Sequence, residues 1–489
     1  MRSRAIILSL ILLLLLLTGC GSQRPATLTP GSATPTEIGS LTSTITPTVT
    51  PMPRMEAPSY QLDLQLDYDA STANVHEVIQ YQNQSGETMK SLVLAVEPNL
   101  WSGCFSLQSL KVNGQAATSF NLVGQQLELP VSLLPLDEVK LEINYTLALP
   151  RIEVDKHAFV IRTQLFGYTT KQLNLVEWYP FIVPYIPGEG WVLHKPASYG
   201  EHLVYDSADF EVNLALTGKT VPQVATSGNE MAADQGKHYQ MKLGRTFAMS
   251  FSPEYLVKTG QVDGMDVISY YFPGSALGAQ AALDATLRAV HTFNQDFIPY
   301  QHPTLTIVQE DGDFSMEFDG LYFLETPLYV AYSGVNTDFL PTIAAHETAH
   351  QWWFGLVGTD QAMQPWLDES LATYSERLFN ETYGLERGNW WYLARLSEAE
   401  NRDCPVDIII YGFYPNKCYY TESVYMRGGL FLQALRDRLG DQAFLAFLKD
   451  FATQYTHKHA STQDFFTVLR QHTDADLGDI ISRFFTEAH

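Results

Sequence analysis

The pattern of apolar and polar residues changes near the middle of the chain. Before about residue 255 the pattern alternates with the period of two that is typical of half-buried strands, most regularly in YQLDLQLDY at 60–68. Helical periodicity is scarce there, and an Asn113-Gly114 pair indicates a hairpin turn. We therefore predict one mostly antiparallel β domain of sandwich type over residues 59–255. Its other strands are predicted in KSLVLAVE, SLKVNGQ, VKLEINYTLAL, ADFEVNLAL and TFAMSFS.

Helical patterns dominate the second half of the chain. A strand, DVISYYF, precedes a long amphipathic helix at 275–297, and the strand PTLTIVQE follows that helix. The extended segment SMEFDGLYFLE comes next, and the remaining chain is largely helical, including ESVYMRGGLFLQALRDRL and TQDFFTVLRQH. The sequence therefore predicts a mixed α+β domain over residues 256–489 that ends in helices.

The first 58 residues belong to neither predicted domain. Two arginines precede an apolar run at 5–17 that is too short to span a bilayer comfortably, which is typical of a signal peptide at 1–19. Residues 20–58 are rich in Thr, Pro and Ser and have little to bury, so we expect a tether.

The cysteines add a prediction about location. LTGC at 17–20 resembles the lipobox of bacterial lipoproteins, which implies cleavage before Cys20 and lipid on its sulfur and amine. Export without a lipid is the alternative, since a small-residue cleavage site also serves ordinary secretion. We expect an extracytoplasmic protein that is anchored to the cell membrane through Cys20. Cys404 and Cys418 enclose a short loop that a disulfide could close, and Cys104 would then stay unpaired.

Charge narrows the range of partners. The chain has 489 residues, of which 45% are hydrophobic, so it can bury large cores. Its formal net charge of −24 would repel nucleic acid and anionic lipid surfaces. We therefore expect no nucleic-acid partner, and the lipid on Cys20 would be the only link to a membrane.

The candidate chemistry lies in HETAH at 346–350. Residues four apart on a helix are turned by only about 40°, so His346 and His350 can bind one metal with Glu347 beside them. Eighteen residues separate His350 from Glu369, which lies in the first turns of another predicted helix at 365–378. Two imidazoles and one carboxylate leave the fourth position of zinc open, which is the catalytic arrangement.

This ligand set predicts hydrolysis. A zinc ion lowers the pKa of a bound water to about 7 and polarises a carbonyl. Glu347 would act as general base toward that water and would later protonate a departing amine. A donor opposite the metal should stabilise the charge that develops on the carbonyl oxygen, and Tyr425, in YMRGG, is our candidate.

The run HETAHQWWFGLVGTDQAMQPWLDESLATY resembles the zinc signature of the gluzincin aminopeptidases, the family of aminopeptidase N and leukotriene hydrolase. The resemblance implies a thermolysin-like catalytic domain with one zinc ion. It covers about 59–489 and is strongest between 305 and 430, while EWYPFIVPY at 177–185 is similar to the N-terminal domain of that family. Many relatives carry a large helical domain after the catalytic one; we expect none here, and a more open active-site mouth.

The same family implies roles for further residues. Its Gly-x-Met-Glu-Asn motif corresponds to the stretch around Glu317, which would bind the free α-amine of the substrate. Phe314 and Phe318 depart from that motif. The Tyr-x-Lys-Gly motif corresponds to Tyr425, with Arg427 in place of Lys. A glutamine from the N-terminal domain approaches the substrate amine in the family, and the candidates here are Gln172 and Gln164.

We therefore predict a zinc aminopeptidase that removes N-terminal residues from peptides. Two alternatives stay open. One keeps the metal but changes the substrate, as in a zinc endopeptidase or an epoxide hydrolase. The other is a non-catalytic peptide-binding lipoprotein, although neither a zinc ligand nor Glu347 is lost.

Overall fold

The computed structural model describes residues 57–152, 165–197, 199–335, 337–412 and 418–487. These residues belong to one compact unit, Arg54–His489. The predicted signal peptide, most of the predicted tether, and Gln164 lie outside the described residues.

The first part of the described chain is built almost wholly from strands. Its 18 strands are β1 (Ser59–Asp67), β2 (Thr72–Gln82), β3 (Met89–Ala95), β4 (Phe105–Val112), β5 (Gln115–Ala116), β6 (Asn121–Val123), β7 (Gln126–Leu133), β8 (Glu138–Ala148), β9 (Gly167–Tyr168), β10 (Leu173–Leu175), β11 (Phe181–Ile182), β12 (Tyr185–Ile186), β13 (Gly190–Trp191), β14 (Ala208–Leu216), β15 (Gln223–Thr226), β16 (Asn229–Met231), β17 (Lys237–Gly244) and β18 (Met249–Ser252). A short 3-10 helix spans Glu97–Leu100.

These strands form one large sheet and smaller ones. The large sheet has eight strands in the order β16-β17-β14-β1-β2-β8-β4-β5. Two four-stranded sheets have the orders β15-β18-β10-β9 and β11-β3-β7-β6, and β12 pairs with β13. Pairing is antiparallel except between β1 and β14, which run parallel. The β4–β5 hairpin turns at Asn113 and Gly114, which both have the positive φ that such a turn requires. The predicted sheet-rich N-terminal part is thus confirmed.

The second part of the described chain combines a five-stranded sheet with helices. Its strands are β19 (Leu256–Val262), β20 (Met265–Tyr271), β21 (Thr304–Glu310), β22 (Met316–Phe318), β23 (Leu321–Glu325), β24 (Val357–Gly358) and β25 (Lys458–His459). Its helices are α1 (Ala276–Asp296), α2 (Thr326–Ala331), α3 (Phe339–Ala349), α4 (Trp366–Glu381), α5 (Leu385–Arg395), α6 (Gly428–Leu439), α7 (Asp441–Tyr455), α8 (Thr462–Leu469) and α9 (Gly478–Phe484). Two π-helical turns span Gln351–Leu356 and Thr421–Arg427, and a 3-10 turn spans Ser397–Ala399.

The five-stranded sheet, in the order β19-β20-β21-β23-β22, separates two cores. Side chains alternate across a strand, and β23 shows this directly. Leu321 and Phe323 join the core of the β-rich part, whereas Tyr322 and Leu324 join the core formed with the helices. β18 and β19 belong to different sheets, and the boundary predicted at 255/256 lies between them. The core of the β-rich part nevertheless includes residues on both sides of that boundary. The domain bounds therefore stay a prediction.

Helix α3 is buried on nearly all sides, as expected for a helix that lies between a sheet and other helices. Its alanines at 344, 345 and 349 are fully buried, and their small side chains let α1 and α4 pack closely. The backbone leaves the helical region at Trp353 and Phe354, which ends this helical stretch. Among the described residues, no helix combines the length and apolar character needed to cross a membrane.

Two of the sequence-based expectations are settled by covalent geometry and packing. Cys404 and Cys418 form a disulfide, with a sulfur–sulfur distance of 2.04 Å. Cys104 is free and buried, and burial raises the pKa of its thiol to about 12. The helical segment predicted in ESVYMRGGLFLQALRDRL consists of a π-helical turn followed by α6.

Candidate metal centre and active site

Two helices bring the three predicted metal ligands together. His346 lies in the last turn of α3, His350 caps that helix, and Glu369 lies in the first turn of α4. The Nε2 atoms of His346 and His350 are 3.2 Å apart, and Glu369 Oε2 lies 3.2 Å from the first and 3.5 Å from the second. All three side chains are buried. Three ligand atoms therefore converge on one point.

The outer nitrogen of each imidazole is occupied by a carboxylate. His346 Nδ1 lies 3.0 Å from Glu376 Oε1, and His350 Nδ1 lies 2.6 Å from Asp368 Oδ1. If each Nδ1 carries the proton and donates it, both Nε2 lone pairs point at the shared space, where they repel each other unless a cation lies between them. This donor set fits a zinc ion.

Glu376 is held by more than the imidazole of His346. Its carboxylate is fully buried and accepts hydrogen bonds from Arg395 Nε at 2.8 Å, Arg395 Nη2 at 2.7 Å and Trp391 Nε1 at 2.7 Å. Burial by itself would raise its pKa, but the charge of Arg395 and the hydrogen bonds with His346 and Arg395 lower it. Sequence reasoning missed Glu376, which lies seven residues after Glu369 and hence on the same face of α4. That spacing was the available signal.

The ionisation of the ligands reflects the same contacts. Burial by itself would lower the pKa of His346, but hydrogen bonds to Glu369 and Glu376 raise it to about 9. Burial by itself would raise the pKa of Glu369, but hydrogen bonds to His346 and His350 hold it well below its ordinary value. The two imidazoles and the carboxylate of Glu369 thus stabilise each other's charged forms.

Glu347 lies beside the ligands without engaging them. Its side chain is buried, and Oε2 has no hydrogen-bond partner among the described residues. Burial raises the pKa of Glu347 to about 7, and the adjacent imidazoles of His346 and His350 limit that rise. A buried carboxylate with an unpaired oxygen, and with a pKa near neutrality, is suited to exchange a proton with a small molecule in the pocket.

Tyr425 reaches the site from the π-helical turn Thr421–Arg427. Its hydroxyl donates a hydrogen bond to Glu369 Oε1, and its ring stacks on the imidazole of His346 with 5.8 Å between ring centroids. Burial raises the pKa of Tyr425 well above its usual range, and the charge of Glu369 adds to this effect. The hydroxyl therefore stays protonated and can donate to an oxygen in the pocket.

Glu317 lies on β22, the edge strand of the five-stranded sheet. Its carboxylate is buried and accepts a long hydrogen bond, 3.4 Å, from Gln361 Nε2. Burial raises its pKa well above the usual range, although the charge of His350 opposes this. Glu317 also forms a second set of potential ligands with His350 and Asp368. The first set is better arranged for a metal, because Asp368 occupies His350 Nδ1, which leaves Nε2 turned toward His346 and Glu369.

Gln172 is not among the residues that surround His346, His350 and Glu369. Its side chain is 1% exposed, and its Nε2 contacts Ser250 Oγ at 3.2 Å and donates to the Gln309 carbonyl at 3.1 Å. Its Oε1 accepts from the backbone N–H of Asp311 at 2.9 Å. Because these contacts use both ends of the amide inside the protein, the position of Gln172 does not support the predicted contact with a substrate amine.

The β-rich part contributes a carboxylate of another kind. Glu201, on the irregular segment between β13 and β14, lines a cavity of about 260 Å³ together with the metal ligands, Glu347 and Glu317; we call this cavity the metal pocket. Glu201 is close enough to raise the pKa of Glu317. Sequence reasoning missed it because no periodic pattern or motif marks that segment.

The comparisons with known proteins agree with this geometry. Residues 281–484 match the Peptidase family M1 domain, which confirms the resemblance to the gluzincin aminopeptidases. Aminopeptidase N of Lactobacillus helveticus is 28% identical over 323 residues, which are 58% of this chain and 35% of that protein. Aminopeptidase M1-B of Oryza sativa subsp. japonica is 25% identical over 302 residues, 57% of this chain and 34% of that protein. The chain thus spans about a third of the length of these relatives.

A solved structure matches more of the chain. A mutant M1 zinc metallopeptidase from Deinococcus radiodurans superposes with a TM-score of 0.66 at 17% identity, covering 89% of this chain and 96% of that one. A structure of the same mutant bound to a Tyr-Ser-Ala substrate gives a TM-score of 0.65 at 18% identity, with 89% of this chain and 95% of that one covered. The chain therefore has the fold of these metallopeptidases.

Proposed function

We propose that this chain, which carries a Peptidase family M1 domain over residues 281–484, is a zinc-dependent aminopeptidase that removes N-terminal residues from peptides. The observation that carries the proposal is the metal pocket. It combines three converging metal ligands, an unpaired buried carboxylate at Glu347, and a buried carboxylate at Glu317 within one cavity. The matching relatives are named aminopeptidases, which favours this function over an endopeptidase, an epoxide hydrolase or a non-catalytic binding protein.

We assign one zinc ion to His346, His350 and Glu369. When bound there, zinc supplies Lewis-acid chemistry, which acidifies a water and polarises a carbonyl. Asp368 and Glu376 fix both imidazoles in the tautomer that exposes Nε2. The ring of Tyr425 packs on the imidazole of His346 and limits its rotation.

Glu347 moves the proton in the proposed reaction. Its Oε2 accepts a proton from the attacking water and then passes it to the nitrogen of the leaving peptide. Tyr425 donates its hydroxyl proton toward the carbonyl oxygen as negative charge develops there. For this, the hydroxyl has to leave Glu369 Oε1 and turn toward the substrate oxygen within the same pocket.

Glu317 and Glu201 recognise the free amine of the substrate. A peptide ammonium in the metal pocket would pair with the carboxylate of Glu317, whose burial without a cation otherwise favours its neutral form. The edge strand β22 can also pair with an extended peptide through backbone hydrogen bonds. Removal of one residue at a time follows, because the amine anchor lies in the same cavity as the ligands.

One experiment tests both the proposed activity and the role of Glu347. Zinc-loaded protein is incubated with a peptide and with its N-acetylated form, with and without a zinc chelator, and products are identified by mass spectrometry. We expect stepwise removal of N-terminal residues from the peptide with a free amine, and none from the N-acetylated peptide. Glu347→Gln should bind zinc normally and lose about 10²- to 10⁴-fold in kcat, whereas the exposed Glu386→Gln should not change it.

Two results would count against the proposal. Cleavage of the acetylated peptide at internal bonds would indicate an endopeptidase. Near-normal turnover by Glu347→Gln would remove that residue as the base. Glu317→Ala separates amine recognition from chemistry, since it should raise KM for free-amine peptides more than it lowers kcat.

We also propose that the protein is exported and anchored by lipid on Cys20, and that residues 20–58 act as a tether. The support is the sequence LTGC with its apolar run. Expression of the full chain in a bacterium with metabolic labelling by a fatty acid tests this. Cys20→Ser should lose the label and leave the membrane fraction; unchanged labelling would refute the assignment.

A further inference from the structure

A second cavity adjoins the metal pocket. It has a volume of about 210 Å³, and Glu201, Met316 and Tyr425 line both cavities. We call it the side-chain pocket. If the amine of a peptide lies at Glu317 and its first carbonyl lies at the metal ligands, the first side chain has to enter the space next to them. The side-chain pocket is that space.

The walls of the side-chain pocket are rich in aromatic rings. Trp101 and Phe166, whose ring centroids are 5.1 Å apart, lie on its wall together with Phe314 and Tyr420. Such walls bury a long apolar stem, and their π faces attract a positive charge that lies above them. Size and shape therefore admit a long side chain.

The described residues that line the side-chain pocket carry negative charge. Among the described residues that line it, Glu177 and Glu201 are the charged ones. Glu177 lies between β10 and β11, and its Oε1 accepts a hydrogen bond from Tyr205 Oη at 2.7 Å, which orients the carboxylate. Aromatic walls with a fixed carboxylate form the environment that a guanidinium or ammonium group prefers.

The two carboxylates differ in position. Glu201 lines the metal pocket as well, and its charge acts on Glu317 and Tyr425, so it belongs with the amine anchor. Glu177 lines the side-chain pocket but not the metal pocket. A smaller cavity of about 10 Å³ is lined by Glu177, Glu201 and Glu317 together, so Glu177 lies beside the amine anchor but outside the cavity that holds the ligands.

Resting on the proposed aminopeptidase function, we propose that the side-chain pocket selects peptides with arginine or lysine at the N terminus, and that Glu177 is the specificity-determining residue. The aromatic rings contact the methylene stem of that side chain, and Glu177 pairs with its charged end.

The test compares arginine with citrulline, which has nearly the same shape but no charge. Fluorogenic amides of arginine, citrulline, lysine, leucine and glutamate are assayed with the zinc-loaded protein. We expect kcat/KM for arginine to exceed that for citrulline by at least about tenfold, as for one charge-assisted hydrogen bond. We also expect the preference to weaken as salt is added.

Glu177→Gln keeps an acceptor for Tyr205 and removes only the charge. The ratio of kcat/KM for the arginine amide to that for the citrulline amide should fall to about one in this variant. Glu177→Lys should favour a glutamate amide over an arginine amide. The exposed Glu189→Gln, also in the β-rich part, is the matched control and should keep the wild-type ratio. Inhibition of the wild-type protein by free L-arginine and L-citrulline provides a measurement that needs no variant.

Three outcomes overturn the inference. The first is a wild-type ratio near one in both turnover and inhibition. The second is a ratio that survives Glu177→Gln. The third is an equal loss for all substrates in that variant, which would place Glu177 in the amine anchor instead. Absence of turnover on every free-amine substrate would instead refute the proposed function itself.

Discussion

Two regions of the molecule bury glutamates in opposite ways. In the metal centre, Glu376 is fully buried and has hydrogen bonds with Arg395, Trp391 and His346. Burial by itself would raise its pKa, but the charges and hydrogen bonds of Arg395 and His346 lower it. In the eight-stranded sheet, Glu77 is equally buried, yet neither of its carboxylate oxygens has a partner among the described residues. Burial raises the pKa of Glu77 well above its usual range.

The difference shows that burial alone does not determine the charge of a carboxylate. Glu376 is stabilised as an anion because neighbouring side chains donate hydrogen bonds to its carboxylate. It can therefore orient an imidazole. Glu77 faces Leu62 and Ile143 on the adjacent strands, which cannot stabilise a charge. We therefore assign Glu376 to the metal centre and expect Glu77 to be a neutral acid in a core.

The largest effect is expected from Glu376→Ala. This change leaves the guanidinium of Arg395 and the Nδ1–H of His346 without their buried partner. We expect a loss of about 3–5 kcal/mol in the free energy of unfolding. Urea denaturation of the zinc-loaded protein measures it, with the exposed Glu386→Ala as control. A loss below about 1 kcal/mol would show that the network does not depend on Glu376.

A smaller effect on zinc binding is expected from the gentler change Glu376→Gln. The amide keeps the shape of the side chain but can no longer hold the negative charge that favours His346 with its proton on Nδ1. Zinc affinity should fall by about 10- to 100-fold, and Asp368→Asn should act in the same way through His350. Competition with a chromophoric chelator measures both. Unchanged affinity in both variants would mean that these carboxylates do not orient the ligands.

The sequence predicted the parts of the site that depend on local spacing. His346, Glu347 and His350 lie within about one helical turn, and Glu369 lies near the start of the next predicted helix. Their proximity could therefore be predicted from sequence spacing. Glu201 and Glu177 could not be predicted, because irregular segments carry them to the pocket from the β-rich part. Gln172 was chosen from a resemblance alone, and its place in an internal hydrogen-bond cluster became visible only with the fold.

The fold shows the same limit. The alternation in YQLDLQLDY predicted β1 within one residue at each end, and the amphipathic pattern at 275–297 predicted α1. The π-helical turn that carries Tyr425 was predicted as ordinary helix, because hydrophobic periodicity does not distinguish the two over seven residues. The parallel pairing of β1 with β14 joins strands that are far apart in sequence, and strand patterns do not specify such partners.

The smallest effect is expected from Glu77→Leu, and its sign is opposite to that of Glu376→Ala. Leucine fills a similar volume and removes a polar group that is buried without a partner, so the protein should gain about 1–3 kcal/mol in stability at pH 7. Thermal and urea unfolding measure the gain, and the exposed Glu189→Leu is the control.

The pH dependence of that gain identifies its cause. The pKa of Glu77 is raised in the folded state, so unfolding releases its proton once the pH exceeds the usual glutamate pKa of about 4.3. Wild-type stability should therefore fall as the pH rises from there toward the folded pKa, by up to about 1.4 kcal/mol per unit. The advantage of Glu77→Leu should be small at pH 4 and larger at pH 7. A stability gain of Glu77→Leu that does not depend on pH would mean that Glu77 is not a neutral acid in the folded protein. Glu77 and Glu376 would then differ in their packing and not in their charge.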